Sequence, residues 1–133
     1  MLTLTKRTRF CCSHKLYNPL WDKDKNKSVF GPCSNMHGHN YVLEVTVSGP
    51  VDNESGMIIN LNTLNKIINE EIIAWVDHKN LNTDINEFKD KLPTVENMAV
   101  IFFNKLKPVL PQNSLRKITL YETDDNKAEY TED

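Results

Sequence analysis

The chain is predicted to fold as an α+β domain with helices packed on one face of a four-stranded antiparallel sheet. Three observations support this class. Two strand-like segments come first, two segments with apolar residues at helical spacing follow, and two further strand-like segments end the chain. No internal repeat or low-complexity stretch interrupts this order. The 133 residues are expected to form one domain spanning 1–133.

The N-terminal part contains the first two predicted strands. Residues 1–7 begin with strand-like alternation and predict a first strand over about 2–12. Residues 39–48 form the clearest alternating run, rich in β-branched residues. The polar, proline-containing segment between them, through Pro32, is predicted to be a loop. Gly49 and Pro50 then turn the chain.

The middle of the chain contains two predicted helices. Asn60 suits the N-cap of the first, which ends near Val76, and Thr94 suits the N-cap of the second, which Pro108 closes. Their apolar positions are Leu61, Leu64, Ile67, Ile68, Ile72 and Trp75 in the first helix, and Val95, Ala99, Phe102 and Leu106 in the second. Two strands, at 115–123 and about 128–131, complete the predicted order.

Composition excludes several classes of protein. A net charge of -2 and a pI near 6.1 argue against a nucleic-acid binder, which needs a basic surface. No apolar run approaches the ~20 residues of a membrane helix, and the N-terminus alternates like a strand instead of resembling a secretory signal. We therefore expect a cytoplasmic protein. The three cysteines are expected to be free thiols, with Cys11 and Cys12 as small packing residues.

Three of the four histidines lie in two short segments that suit a metal site. His37 and His39 are two residues apart, so their side chains point to the same face of a strand, and Gly38 leaves space between them. His14 supplies a third imidazole, and Cys33 adds a thiol nearby. This set suits a catalytic zinc site with an open coordination position. We predict that His14, His37 and His39 hold Zn²⁺; the alternative is that they are ordinary surface histidines.

Other side chains suit proton transfer or ligand binding. Asp77 can orient His78 for proton transfer, or His78 can simply complement the dipole of the helix that ends there. Glu122 ends a strand, where it can accept two hydrogen bonds from an amidine-like ring edge or remain an exposed acid. Cys33 is either a base beside the metal or a buried structural thiol.

Together these segments resemble the 6-pyruvoyltetrahydropterin synthase family, which includes the 6-carboxytetrahydropterin synthases of the queuosine pathway. The matching motifs appear in the family order and are Phe10-Cys11-Cys12-Ser13-His14, Cys33-x3-His37-Gly38-His39-Asn40-Tyr41, Gly56-Met57, Asp77-His78-x2-Leu81-Asn82, Pro93-Thr94-x-Glu96-Asn97 and Glu122-Thr123. They span nearly the whole chain, from Phe10 to about Tyr130. Two positions depart from the family pattern: Cys12 replaces the usual alanine, and Asn60 replaces the usual aspartate.

The resemblance implies a tunnelling fold, in which subunits form a barrel as a trimer and two trimers stack as a hexamer. It implies a lyase whose active sites lie between subunits and whose substrate is 7,8-dihydroneopterin triphosphate. By motif match, His14, His37 and His39 would hold zinc and Cys33 would be the general base. Asp77 and His78 would be the proton-transfer pair from a neighbouring subunit, Glu122 would anchor the pterin, and Thr94 would line its pocket.

Two branches of the family share this substrate. One makes 6-carboxytetrahydropterin and releases triphosphate and acetaldehyde; the other makes the 6-pyruvoyl compound. The three-residue spacer between Cys33 and His37 favours the carboxy branch, which we predict, whereas Asn40-Tyr41 and the long segment 17–32 look more like the 6-pyruvoyl branch. A non-catalytic zinc- and pterin-binding protein of the same fold is a further alternative. A cysteine hydrolase ranks last, because it would leave the three histidines unexplained.

Overall fold

A computed structural model of the protein describes residues 1–132. Its strands are β1 (Thr3–His14), β2 (His37–Ser48), β3 (Lys79–Asn80), β4 (Leu115–Thr123) and β5 (Asn126–Tyr130). Its helices are α1 (Lys23–Phe30), α2 (Leu61–Ile68, continued by a π-helical turn Asn69–Ile73 and by Ala74–Val76), α3 (Leu81–Asp84) and α4 (Val95–Leu106). Short 3-10 turns occupy Gly31–Ser34, Asn86–Phe88 and Lys107–Val109. The α+β class is therefore confirmed.

The sheet differs from the predicted four antiparallel strands. It has five strands in the order β3-β1-β2-β4-β5, and it is mixed, because the two-residue strand β3 pairs parallel with β1. So short a segment carries no periodicity that a sequence could show. The other pairs are antiparallel, as predicted. Strand β1 continues past residue 12 as far as His14, and β2 begins at His37 rather than at residue 39.

The segment predicted to be a loop contains helix α1, which the sequence interpretation missed. Asp22 caps this helix by accepting a hydrogen bond from the backbone N–H of Lys25 at 2.7 Å. Half of its residues are charged and most are exposed, so it lacks the apolar stripe by which helices are recognised. Its one buried residue is Asn26, a polar side chain.

Both predicted helix caps are confirmed. The side chain of Asn60 accepts a hydrogen bond from the N–H of Asn62 at 2.8 Å, and that of Thr94 accepts from Asn97 at 3.2 Å. Helix α2 buries one residue in every four along its length: Leu64, Ile68, Ile72 and Val76. Four-residue steps drift by about 40° each around a regular α-helix. The wider π-helical turn offsets this drift and keeps the stripe facing the sheet.

The hydrophobic core lies between one face of the sheet and helices α2 and α4. Phe10 of β1 stacks on Tyr41 of β2 at 5.0 Å and meets Phe102 of α4 edge-on at 5.8 Å. The opposite face of the sheet is polar and carries, for example, the ion pair between Arg7 and Glu44 at 2.7 Å. Within residues 1–132, no helix is both long and apolar enough to cross a membrane.

Candidate metal centre and proton-transfer pair

Strand pairing brings the three predicted metal ligands together. His14 is the last residue of β1 and pairs in register with His37, the first residue of β2. His39 follows two residues later and projects from the same face of β2. One ring nitrogen from each imidazole lies within 4.8 Å of the other two. The imidazoles therefore converge on one point, as the spacing predicted.

The ring hydrogen bonds of His14 and His37 leave one nitrogen of each available. The Nδ1 atom of His14 lies 2.8 Å from the carbonyl oxygen of Pro93, and that of His37 lies 2.7 Å from the carbonyl oxygen of Asn35. A carbonyl oxygen only accepts, so in both rings Nδ1 carries the proton and Nε2 has the free lone pair. Among the described residues, the buried Nε2 atoms of His14, His37 and His39 have no hydrogen-bond partner.

These three unpartnered nitrogens fit a zinc ion. Buried polar atoms are normally satisfied, so three of them pointing to one place indicate a missing partner. Three imidazole ligands leave a fourth tetrahedral position for substrate or water, as in catalytic zinc sites. The carbonyl oxygens on the Nδ1 side are the usual outer partners of metal-bound histidines and fix the ring orientation.

Burial favours the neutral form of the histidines, which is the form that binds a metal. It lowers the pKa of His14 from 6.5 to about 4, against the raising effect of the Pro93 carbonyl. It also lowers the pKa of His39, although the nearby carboxylate of Glu122 opposes this. Because a metal binds the neutral imidazole, these shifts favour binding at neutral pH.

Glu122 lies beside the histidine cluster. Its two carboxylate oxygens are 3.8 Å from Nε2 of His14 and 3.9 Å from Nε2 of His39. It stands at the end of β4, on the same face of the sheet as the histidines, and its side chain is 21% exposed. This position gives a carboxylate next to the histidine cluster that a ligand can still reach.

Asp77 and His78 form a second cluster, together with Cys11. The Oδ1 atom of Asp77 accepts the backbone N–H of Cys11 at 2.9 Å, and Oδ2 lies 3.0 Å from Nδ1 of His78. The donor atoms of all three side chains lie within 4.8 Å of one another. Cys11, predicted to be a packing residue, is half-buried and belongs to this cluster, whereas Cys12 is buried as predicted. Sequence spacing gave no signal for this neighbour, since Cys11 and Asp77 are 66 residues apart.

Backbone geometry holds the pair at the surface. His78 has a φ of +62°, in the left-handed region that non-glycine residues rarely adopt, and its N–H donates to the carbonyl of Cys11 at 2.6 Å. Its side chain is 79% exposed, so it is free to meet another molecule. The hydrogen bonds to Asp77 from Cys11 and then from His78 hold the pKa of Asp77 below its usual value.

Cys33 belongs to neither of the two clusters found within residues 1–132. Cys33 is half-buried in the turn Gly31–Ser34, and its carbonyl accepts the N–H of Leu16, two residues after His14. Thr94 is half-buried, and its hydroxyl caps α4 directly after Pro93, the residue that holds His14. The predicted base is therefore not a member of the described cluster that contains the predicted proton-transfer pair.

Comparison with known proteins agrees with the motif match. A family model described as 6-pyruvoyl tetrahydropterin synthase matches residues 3–133. A 6-pyruvoyl tetrahydrobiopterin synthase of Pongo abelii is 43% identical over 129 residues, covering 96% of this chain and 89% of the relative. A solved structure of Caenorhabditis elegans 6-pyruvoyl tetrahydropterin synthase superposes with a TM-score of 0.93 at 37% identity, covering 99% of this chain and 96% of that one.

The comparisons also bear on the choice between branches. A 6-carboxy-5,6,7,8-tetrahydropterin synthase of Aquifex aeolicus is 31% identical over 161 residues, covering 98% of each chain. This relative is more distant than the 6-pyruvoyl enzymes, so the comparisons favour the 6-pyruvoyl alternative over the carboxy branch predicted from the spacer. The relatives of this chain on both branches are tetrahydropterin synthases. The chain belongs to the 6-pyruvoyl tetrahydropterin synthase family.

Proposed function

We propose that this protein is a zinc-dependent lyase that removes triphosphate from 7,8-dihydroneopterin triphosphate and forms 6-pyruvoyl-tetrahydropterin. The observation that carries the proposal is the set of three buried, unpartnered Nε2 atoms of His14, His37 and His39, which converge within 4.8 Å. The similarity to 6-pyruvoyl enzymes supports this branch. Residues 1–133 would act as one catalytic domain.

The three histidines would hold zinc and leave one coordination position open to the substrate. When bound, zinc would supply Lewis-acid polarisation of oxygens on the substrate side chain. Glu122 would anchor the pterin by accepting two hydrogen bonds from its ring edge. The position of Glu122 beside the histidine cluster supports this role, because a pterin ring anchored there would place the substrate's side chain over the histidines. Thr94 would line the same pocket.

Proton transfer would use two groups on opposite sides of the substrate. Cys33 would remove a proton from the side-chain carbon, and His78, oriented by Asp77, would deliver one. The tautomerisation moves hydrogen from the side chain to the ring, and triphosphate leaves with the electron pair of its C–O bond. No external oxidant or reductant is required, because the hydrogens are redistributed within the substrate.

Among residues 1–132, Cys33 is not part of the cluster that contains Asp77 and His78, which supports active sites shared between subunits. One chain would supply Cys33 and the three histidines, and a neighbouring subunit would supply the exposed imidazole of His78. The polar sheet face opposite the core would line a barrel formed by a trimer, with two trimers stacked as a hexamer. Analytical ultracentrifugation of the purified protein measures this assembly.

The decisive experiment is incubation of the zinc-loaded protein with 7,8-dihydroneopterin triphosphate, followed by product mass analysis and an acetaldehyde assay. The 6-pyruvoyl product without acetaldehyde is expected. Acetaldehyde and a 6-carboxy product would instead support the carboxy branch, which the three-residue spacer between Cys33 and His37 favours. No turnover by protein that contains zinc would support a binding protein of the same fold.

A matched pair of cysteine variants tests the assigned base. Cys33→Ala is expected to lose turnover and keep its zinc, because the thiol is no metal ligand in this proposal. Cys12→Ala is the control, since Cys12 is buried in the core, has no role in the proposed reaction, and stands where alanine is the family's usual residue. Full activity of Cys33→Ala would overturn the assignment.

A further inference from the structure

A cavity of about 720 Å³ lies next to the histidine cluster and is not used by the proposed reaction so far. Pro93 lines it, and the carbonyl oxygen of Pro93 is the atom that accepts the Nδ1 proton of His14. Lys15, which directly follows His14, lines it as well. Two residues that line the cavity are therefore neighbours of His14: Lys15 along the chain and Pro93 through a hydrogen bond. The volume of the cavity is in the range of small-molecule sites.

The cavity is positively charged. Lys15, Lys89 and Lys91 line it, against a single carboxylate from Asp90. Within residues 1–132, none of these three lysines has a carboxylate within 4.0 Å, whereas four lysines elsewhere on the surface do. The ammonium group of Lys15 lies 5.2 Å from the ring centre of Tyr17, another lining residue. Three unpaired cations around one concave site raise the local concentration of anions.

The walls of this cavity are held by side-chain hydrogen bonds to the backbone. The side chain of Asn26 is fully buried, donates to the carbonyls of Asn18 and Asp22, and accepts the N–H of Asn18 at 2.7 Å. This holds the loop before α1, which forms one wall. On the other side, Asn82 accepts the N–H of Lys15 at 2.8 Å and donates to its carbonyl at 3.0 Å. The site is therefore held in shape before a ligand arrives.

We propose that this lysine pocket, formed by Lys15, Lys89 and Lys91, binds the triphosphate group of the substrate while the histidine cluster binds the adjacent side chain. The inference rests on the proposed function, which supplies a ligand with a polyanionic tail attached to the group that meets the metal. The lysines bind this tail in the ground state and stabilise the charge it gains on leaving. They touch only the leaving group and transfer no proton.

Inorganic tripolyphosphate is the probe for binding, measured by titration calorimetry on the zinc-loaded protein. The double variant Lys89→Ala/Lys91→Ala is expected to bind it about tenfold more weakly, the order of magnitude for two charge-assisted contacts at an open site. The control is Lys66→Ala/Lys107→Ala, which removes the same charge from two exposed lysines outside the pocket. All proteins carry the same zinc, so any direct contact of the probe with the metal cancels in the comparison.

Kinetics distinguish the substrate from free phosphate chains as the ligand. The pocket variant is expected to raise KM for 7,8-dihydroneopterin triphosphate about tenfold, with a steeper effect at low salt. Inhibition by 7,8-dihydroneopterin, which lacks the triphosphate, is expected to stay unchanged. A raised Kd of the pocket variant for tripolyphosphate without a change in KM would mean that the pocket binds other phosphate anions, and would overturn the assignment to the substrate.

The outcomes separate the pocket from the proposed function. If the wild type turns over the substrate but the pocket variant behaves like the control in both assays, the pocket assignment is wrong and the function stands. If the wild type has no turnover, and the pocket variant binds tripolyphosphate more weakly than the wild type, the function is wrong and the anion site stands. Circular dichroism of each variant confirms that it is folded.

Discussion

Substitution of Asp77 gives a prediction that separates its structural contact from its chemical role. The carboxylate accepts the backbone N–H of Cys11 at 2.9 Å through one oxygen and faces Nδ1 of His78 at 3.0 Å through the other. In Asp77→Asn the amide oxygen still accepts the N–H, but the negative charge that stabilises a protonated imidazole is lost. In Asp77→Ala both interactions are lost.

The expected magnitudes follow from these contacts. Leaving a partly buried N–H without its acceptor costs about 1–3 kcal/mol, and because the Asp77 side chain is 32% exposed we expect Asp77→Ala to lose about 1 kcal/mol. The free energy of unfolding of Asp77→Asn should lie within about 0.5 kcal/mol of that of the wild type. Both variants should lose at least about 100-fold in turnover, the lower range for general acid–base catalysis. Zinc content should not change, since Asp77 belongs to the other cluster.

Urea unfolding, turnover and metal analysis measure these three quantities on the same preparations. Asp84→Asn is the matched control: its carboxylate also accepts a backbone N–H, from Asn80 at 2.9 Å, but it orients no histidine. The sign of the pH dependence is also fixed. The folded-state pKa of Asp77 is depressed, so its stabilisation is present above the ordinary aspartate pKa and is lost as the pH falls through the folded value. Near wild-type turnover in Asp77→Asn would refute the proton-transfer role.

Three further outcomes are expected. Purified protein should contain about one zinc per chain, and His37→Ala should lose it while far-ultraviolet circular dichroism stays unchanged; a variant that keeps its zinc would remove His37 from the ligand set. In metal-free protein, the pKa of His14 is about 4 in the folded state against 6.5 in the unfolded state, so as the pH falls the unfolded state is protonated first. The free energy of unfolding should therefore fall by ~3 kcal/mol between pH 6.5 and 4. This loss should be absent in His14→Phe. Phe102→Ala empties a fully buried site against Phe10 and should destabilise by about 3–5 kcal/mol in urea unfolding, whereas a loss below 1 kcal/mol would contradict the described core.

Local features were predictable because they depend on residues only a few positions apart. The caps at Asn60 and Thr94, the apolar stripe of α4 and the alternation of β2 all follow from side chains two to four residues distant. The shared face of His37 and His39 is of the same kind. Helix α1 was not predicted because its sequence has no apolar periodicity. Strand β3 was not predicted because two residues are too few to show a periodicity.

The choice of branch shows the limit of motif spacing. The three residues between Cys33 and His37 favoured the carboxy enzymes, whereas the similarity of the whole chain favours the 6-pyruvoyl enzymes. A spacer reports the length of one turn, here the segment that contains Gly31–Ser34 and ends before β2. Overall similarity averages over every position of the fold and is therefore the broader measure of ancestry.

The sequence by itself determined the α+β class, the identity of the metal-ligand candidates and the family, because residue types and short spacings carry that information. The tertiary structure alone decided how those groups meet. It paired His14 with His37, placed the Pro93 carbonyl behind His14 from 79 residues away, and brought Cys11 to Asp77. Such contacts depend on strand register and on helix packing against the sheet, which are set by the whole core at once and by no local pattern.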